Sequence, residues 1–279
     1  MAFAVIVVAT LAYLGGILLA GRAGVRWHWW PTVAFFALGL GSYAWVSFGF
    51  LGAYSTELRW AFSTRIALLL FAVPSLLCLG RPVELARVAL SGLPLRIMER
   101  VLASWPVRLI GNAVFAPLAA IAAFMVFLTP FAATLRGAPG WEAFITVGVP
   151  AIGLLMALPI VDHSLTRTSL FITAEFMLAF VELVMDAIPG ILLRLNDAVL
   201  DHAPAITGTL PSWFPSPLHD QHLSGDFLWF IAEIADVPVL IILFLRWTRS
   251  DRKEAKQLDE LSDEEMEALT QEHLRRRGV

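Results

Sequence analysis

The sequence predicts an all-α, polytopic membrane protein: a bundle of seven transmembrane helices, N-terminus outside and C-terminus cytoplasmic. Three observations carry that expectation. Of 279 residues, 58% are hydrophobic and 15% charged, and mean hydropathy is +0.73; soluble domains run nearer half apolar and a quarter charged. Several apolar runs exceed about 18 residues, enough to cross about 30 Å of hydrocarbon as a helix. Basic residues also alternate between rich and poor loops, as the positive-inside rule requires.

The expected spans are 2–20, 32–54, 61–80, 109–135, 142–161, 168–193 and 226–246. The first has no basic residues ahead of it and no compelling small-x-small cleavage pattern, so it reads as a retained helix rather than a signal peptide. Pro74, Pro117, Pro150, Pro189 and Pro238 interrupt later spans, as membrane helices tolerate. Arg22 and Arg26 follow span 1. Arg81, Arg87, Arg96, Arg100 and Arg108 fill the connection after span 3. Arg167 follows span 5, and Arg246, Arg249, Arg252 and Lys253 follow span 7. The alternate connections carry little beyond Arg59 and Arg136. The Arg-rich side is therefore expected in the cytoplasm.

Two peripheral segments follow. The connection "RPVELARVALSGLPLRIMERVLASWPVR" is amphipathic with spaced arginines, and is expected along the cytoplasmic membrane surface. Residues 1–250 form the transmembrane domain, and 251–279 a charged cytoplasmic helix or tail. Ser262 is a candidate N-cap there, ahead of an acidic first turn. The tail reads as a solvated helix or a docking helix for a partner.

Net charge is −3 and no basic block is large enough for nucleic acid. The one cysteine, Cys78, excludes a disulfide framework and a cysteine-based zinc site. No Gly-rich phosphate loop, GxSxG or HExxH is present, so no enzyme signature is offered.

Chemistry-bearing side chains concentrate on the last two spans. Glu182 and Asp186 both fall within about 20° of Glu175 around span 6, at 100° per residue. A charge in hydrocarbon costs about 3 kcal/mol. The stripe is therefore expected to face the bundle and meet partners, protons, water or a metal. Met185 adjoins Asp186 and could make a mixed oxygen–sulfur site. Pairing with Arg65 or Arg194, or with hydroxyls, is the structural alternative.

On span 7, His222, Asp226, Trp229 and Glu233 fall on one face within about 60°. The preceding segment adds Asp197, Asp201, His202, His219 and Asp220. Imidazole and carboxylate suit Cu(II), Zn or Ni, and thioethers favour Cu(I). His219 and His222 stand i,i+3, which on a helix can place both rings on one metal. Two solvated histidines are the plain alternative. His28 sits in the interfacial "RWHWWP", while His163 and His273 have no cluster around them.

The layout resembles the CtaG family of caa3-type cytochrome c oxidase assembly factors. The pattern DQ-x-L-x-G-x-x-x-W is matched by Asp220, Gln221, Leu223, Gly225 and Trp229. Leu-Leu-x-Leu-Gly-x-Pro is matched by Leu76, Leu77, Leu79, Gly80 and Pro82, and "LPIVDHSLTRTSLF" is similar to a Pro-containing cytoplasmic turn before the sixth helix. The resemblance covers roughly residues 30–250. Family members commonly carry a His-x-x-x-His pair upstream of the Leu-Gly-x-Pro ending; Phe62 and Ile66 stand there in this chain. The stretch "WEAFITVGVPAIGLL", where a histidine-bearing helix is also expected, has none.

The resemblance implies a non-enzymatic, copper-handling oxidase assembly factor in a bacterial plasma membrane, with the lipid bilayer and oxidase subunits as partners. On that reading His219, Asp220, His222 and Asp226 capture copper, or zinc, on the outer side. Glu233, Glu182, Asp186, Glu175, Met185 and His202 supply surrounding charge or a relay. The rival readings are an accessory subunit of a respiratory or other membrane complex, and a proton-coupled transporter using the span 6 acids.

Overall fold

A computed structural model describes residues 1–110, 115–161, 169–202 and 211–259, though not every side chain within its helices. All its regular structure is helical. The chain runs through α1 (Ala2–Arg22), α2 (Trp29–Tyr54) and α3 (Arg59–Leu79). Short helices α4 (Pro82–Ala89), α5 (Gly92–Leu102) and α6 (Trp105–Ile110) follow. Then come α7 (Phe115–Met125, extended by a 3₁₀ turn at Val126–Leu128), α8 (Phe131–Gly137) and α9 (139–161). The chain closes with α10 (Ser169–Leu195) and α11 (Pro217–Asp259).

Among the described residues, four helices are long and apolar enough to cross a membrane: α1, α2, α3 and Pro139–Leu158 of α9. The bent pair α7–α8 makes a fifth if it counts as one span. The two remaining expected spans correspond to α10 and α11, which pack along each other as a hairpin.

Helix α3 is central. It packs against α2, α9 and α11, and its core residues Phe62, Leu69, Leu70, Val73 and Leu77 meet Phe35, Phe124, Phe127, Ile145 and Val149. Helix α1 is peripheral, with Val8, Leu11 and Leu18 each about two-thirds exposed. Such apolar exposure suits a hydrocarbon surrounding. Three π-helical segments, Ala34–Leu40, Leu68–Ala72 and Phe144–Gly148, interrupt α2, α3 and α9. Two end just ahead of Pro74 and Pro150. A proline lacks an N–H and its ring crowds the carbonyl four residues back, so the preceding turn widens.

Two boundaries differ from expectation. A continuous span 4 over 109–135 is broken: α7 ends at Leu128 and α8 leaves it at 91°. Thr129 is extended (φ −117°, ψ 155°) ahead of Pro130, as the residue before a proline prefers. The Thr129 hydroxyl donates back to the Val126 carbonyl at 2.7 Å. The last helix begins at Pro217, nine residues before the expected 226. Ser216 caps it: its Oγ accepts from the His219 N–H at 3.3 Å, and proline suits the first helical position. His219, Asp220 and His222 therefore ride on the helix itself.

Candidate functional site: a polar clamp at the start of the last helix

Asp220 is 3% exposed. Its Oδ2 accepts from the Arg59 N–H at 2.9 Å and its Oδ1 from the Trp60 N–H at 3.1 Å. These are the first two N–H groups of α3, which its own turn leaves without acceptors. The apolar Leu58 precedes them and offers no side-chain cap. Asp220 of α11 thus caps α3 from across the fold, where the helix dipole also favours a carboxylate.

The Arg59 guanidinium lies 2.7 Å from Asp201 and 3.5 Å from Asp220. Arg136 of α8 reaches the other Asp201 oxygen at 3.2 Å. Arg136 and Asp201 are more than nine-tenths buried, and Arg59 is nearly so. Two arginines and two aspartates therefore balance in a site that water scarcely reaches, the condition for holding buried charge.

Gln221, 2% exposed, secures the chain after α10. Its Oε1 accepts from the Leu200 N–H at 2.8 Å, and its Nε2 donates to the carbonyls of Ala198 at 3.0 Å and Leu193 at 3.4 Å. An amide carries both a donor and an acceptor, which this three-way contact requires. One turn on, the Ser224 hydroxyl donates to Ser63 of α3 at 2.7 Å. Gly225 faces Gly190 where α10 and α11 cross. A Cβ on Gly225 would meet the Gly190 carbonyl oxygen, so these backbones touch only because both residues lack side chains.

A second polar group lies deeper on α3. Arg65 is 2% exposed and forms a two-pronged pair with Glu142 at 2.6 and 2.9 Å, with Ser55 Oγ at 3.1 Å. The Tyr43 hydroxyl donates to the Thr146 carbonyl at 2.9 Å beside it. Arg65 is thereby matched by an acid of α9.

The expected metal ligands are brought near one another but are engaged separately. Both Asp220 oxygens accept backbone N–H groups. The His222 ring lies 3.1 Å from Arg194 and 3.1 Å from the Asn196 carbonyl. Asp226 pairs with the same Arg194 at 3.2 Å. His219 is exposed, as is His202, whose backbone is left-handed (φ 47°). Farther along the expected stripe, Trp229 Nε1 donates to Glu233 at 3.0 Å. Among the described residues, no three His, Cys, Asp or Glu side chains converge as a metal-holding group. Met185 is partly exposed on α10. The side chains of Glu175, Glu182 and Asp186 lie outside the described residues, as do His163, Ser262 and His273. Phe62, where the resemblance leads one to expect a histidine, is core, packing edge-on to Phe127 at 5.9 Å.

Nothing in hydropathy or helical period brings Arg59, Arg136, Asp201 and Gln221 together as partners. Their signal was available: Arg59 and Arg136 are isolated arginines in otherwise charge-poor connections, each at a helix end. The residues of the DQ-x-L-x-G-x-x-x-W pattern thus have physical tasks, and they lie inside the match found by comparison. The family model described as cytochrome c oxidase caa3 assembly factor matches residues 11–250.

This chain belongs to that family.

The family match spans the whole clamp, from Arg59 to Gly225. Two mycobacterial proteins, uncharacterized protein Mb0105 of Mycobacterium bovis and uncharacterized protein MT0111 of Mycobacterium tuberculosis, are each 25% identical over 280 residues. The similarity covers 94% of this chain and 41% of theirs. The chain thus spans about two-fifths of the length of these curated relatives. No solved structure matches.

Proposed function

We propose that this assembly-factor family member is a non-catalytic protein of the bacterial plasma membrane. It crosses the bilayer seven times and assists assembly of cytochrome c oxidase. The observation that carries this reading is the family match over residues 11–250. The clamp supports the arrangement: Arg59, Arg136 and Asp201 belong to connections that the positive-inside rule assigns to one side, and Asp220 ties them together. At the other end the Tyr13 hydroxyl donates to the Gly80 carbonyl at 2.7 Å, tying α1 to the end of α3. Such a frame holds α10 and α11 in fixed register, which suits presenting a surface to an oxidase subunit.

The test is deletion in the native cell. Membranes without the chain should lose assembled cytochrome c oxidase activity while its subunits are still made, and the wild-type chain should restore it. Unchanged oxidase in the deletion strain would refute the proposal. Stoichiometric co-purification with a mature complex would favour the accessory-subunit reading instead. Loss of a solute flux on Glu182→Gln or Asp186→Asn, with folding intact, would favour a transporter.

Copper capture by His219, Asp220, His222 and Asp226 is a separate proposal. It needs rearrangement, because Arg194 would have to leave His222 and Asp226, and Asp220 would have to uncap α3. About one copper per purified chain, lost in the His219→Ala/His222→Ala variant, would support it; a copper-free wild type would sink it.

A further inference from the structure

The Arg-rich connection between α3 and α7 contains a helix, α5, whose apolar face no described residue buries. The segment ahead of α5 is anchored at its start: Arg81, at the turn into α4, is left-handed (φ 50°), the adjoining Gly80 carbonyl is held by Tyr13, and Leu85 of α4 is 2% exposed, fitted against Gly16 of α1. Helix α5 then extends from this anchored base and contains no buried residue. Leu93, Ile97 and Val101 are 68%, 51% and 54% exposed. At 100° per residue they form a stripe within about 80°, with Arg100 and Arg96 along one rim. Trp105 continues the exposed apolar set at 74%.

Charge says what covers this face. Residues 81–108 hold five arginines and two glutamates, in a chain whose net charge is −3. Both glutamates are engaged: Glu84 with Arg81 at 3.4 Å and Glu99 with Arg87 at 3.0 Å. Arg96, Arg100 and Arg108 are exposed and pair with no acid among the described residues. An apolar stripe rimmed by unneutralised arginines is the arrangement of a helix lying in a lipid interface. Its apolar side chains enter the acyl boundary and its guanidinium groups reach anionic phosphates.

We propose that α5, with the adjoining α6, is a docking surface for anionic phospholipid, with Leu93, Ile97 and Val101 of α5 inserted in the leaflet and Arg96 and Arg100 of α5 and Arg108 of α6 binding its headgroup phosphates. This rests on the membrane reading above. The test uses the full chain in nanodiscs of phosphatidylcholine alone or with about 30% phosphatidylglycerol, enough to give a negative surface potential. A spin label is placed at Ile97→Cys; Cys78 is buried and stays unlabelled. In the anionic discs the label should be reached by oxygen and shielded from an aqueous nickel chelate. In neutral discs, and in Arg96→Gln/Arg100→Gln/Arg108→Gln, nickel access should rise several-fold.

Free nickel access in the anionic discs overturns the proposal. So does equal shielding in both discs and in the triple variant, which would mean apolar burial without headgroup recognition. Dipolar broadening at position 97 would assign the face to a second copy and also overturn it. A label at Leu11→Cys, on the exposed face of α1, separates the failures. If position 11 is shielded and 97 is not, only this proposal fails. If both are open to water, the membrane reading fails and this proposal with it.

Discussion

Replacing Asp220 with alanine separates a structural carboxylate from a metal ligand. The substitution strips the acceptor from two backbone donors, Arg59 N–H and Trp60 N–H. Loss of a helix cap costs about 1 kcal/mol, and a second buried donor left unsatisfied adds about 1 kcal/mol more. The Arg59 guanidinium also loses one of its two carboxylates, leaving Asp201 to serve both Arg59 and Arg136. Breaking a buried pair outright costs about 3–5 kcal/mol, and because Asp201 remains, the share here is about 1–2 kcal/mol. The total is about 3–4 kcal/mol, or a fall in Tm of roughly 10 °C for a chain of this size. Thermal unfolding of the purified protein, followed by tryptophan fluorescence, measures it. In an Arg59→Ala background the same substitution should lose only about 2 kcal/mol, because the backbone donors persist while the guanidinium is gone. A Tm within about 2 °C of wild type would refute the capping argument. Loss of bound copper at unchanged Tm would make Asp220 a ligand.

Further outcomes follow from the same geometry. Gly225→Ala should part α10 from α11 and abolish recovery of monodisperse protein on size exclusion, whereas Gly15→Ala, with nothing within 4 Å of its added Cβ, should be neutral or stabilise by up to about 1 kcal/mol. Gln221→Leu leaves the Leu200 N–H and the Ala198 carbonyl without their partner; it should destabilise by about 2–3 kcal/mol and speed proteolysis between α10 and α11. Glu142→Ala leaves buried Arg65 without its acid and should cost about 2 kcal/mol, short of a fully buried pair because Glu142 is half-exposed and Ser55 remains, while Arg65→Met/Glu142→Leu should cost less, by comparison of melting temperatures. His222→Ala should cost no more than about 1 kcal/mol, because its contact with Arg194 is exposed and that with the Asn196 carbonyl only partly buried.

The helical class and most helix positions were legible in the chain, because a run of apolar residues long enough for a bilayer is a one-dimensional property. The break at Thr129–Pro130 and the start at Ser216–Pro217 were also written locally, in proline's missing N–H and serine's capping oxygen, although hydropathy alone overran the first and undershot the second. The stripe on the last helix was partly readable: periodicity placed His222, Asp226, Trp229 and Glu233 on one face, and the structure pairs them in sequence neighbours, on Arg194 and with each other. Periodicity could not say what stood opposite.

By itself, then, the sequence determined which segments are helical, which connections are basic, and which short pattern begins the last helix. Tertiary structure decided what that pattern does. Asp220 reaches Arg59 and Trp60 from about 160 residues away in the chain, Arg136 and Asp201 arrive from two further connections, and Arg65 meets Glu142 of α9. The physical reason is that burial of charge is settled by whatever complementary group the packing delivers within about 3 Å. A helical period fixes the direction in which a side chain points, and only the packed bundle supplies the partner that waits there.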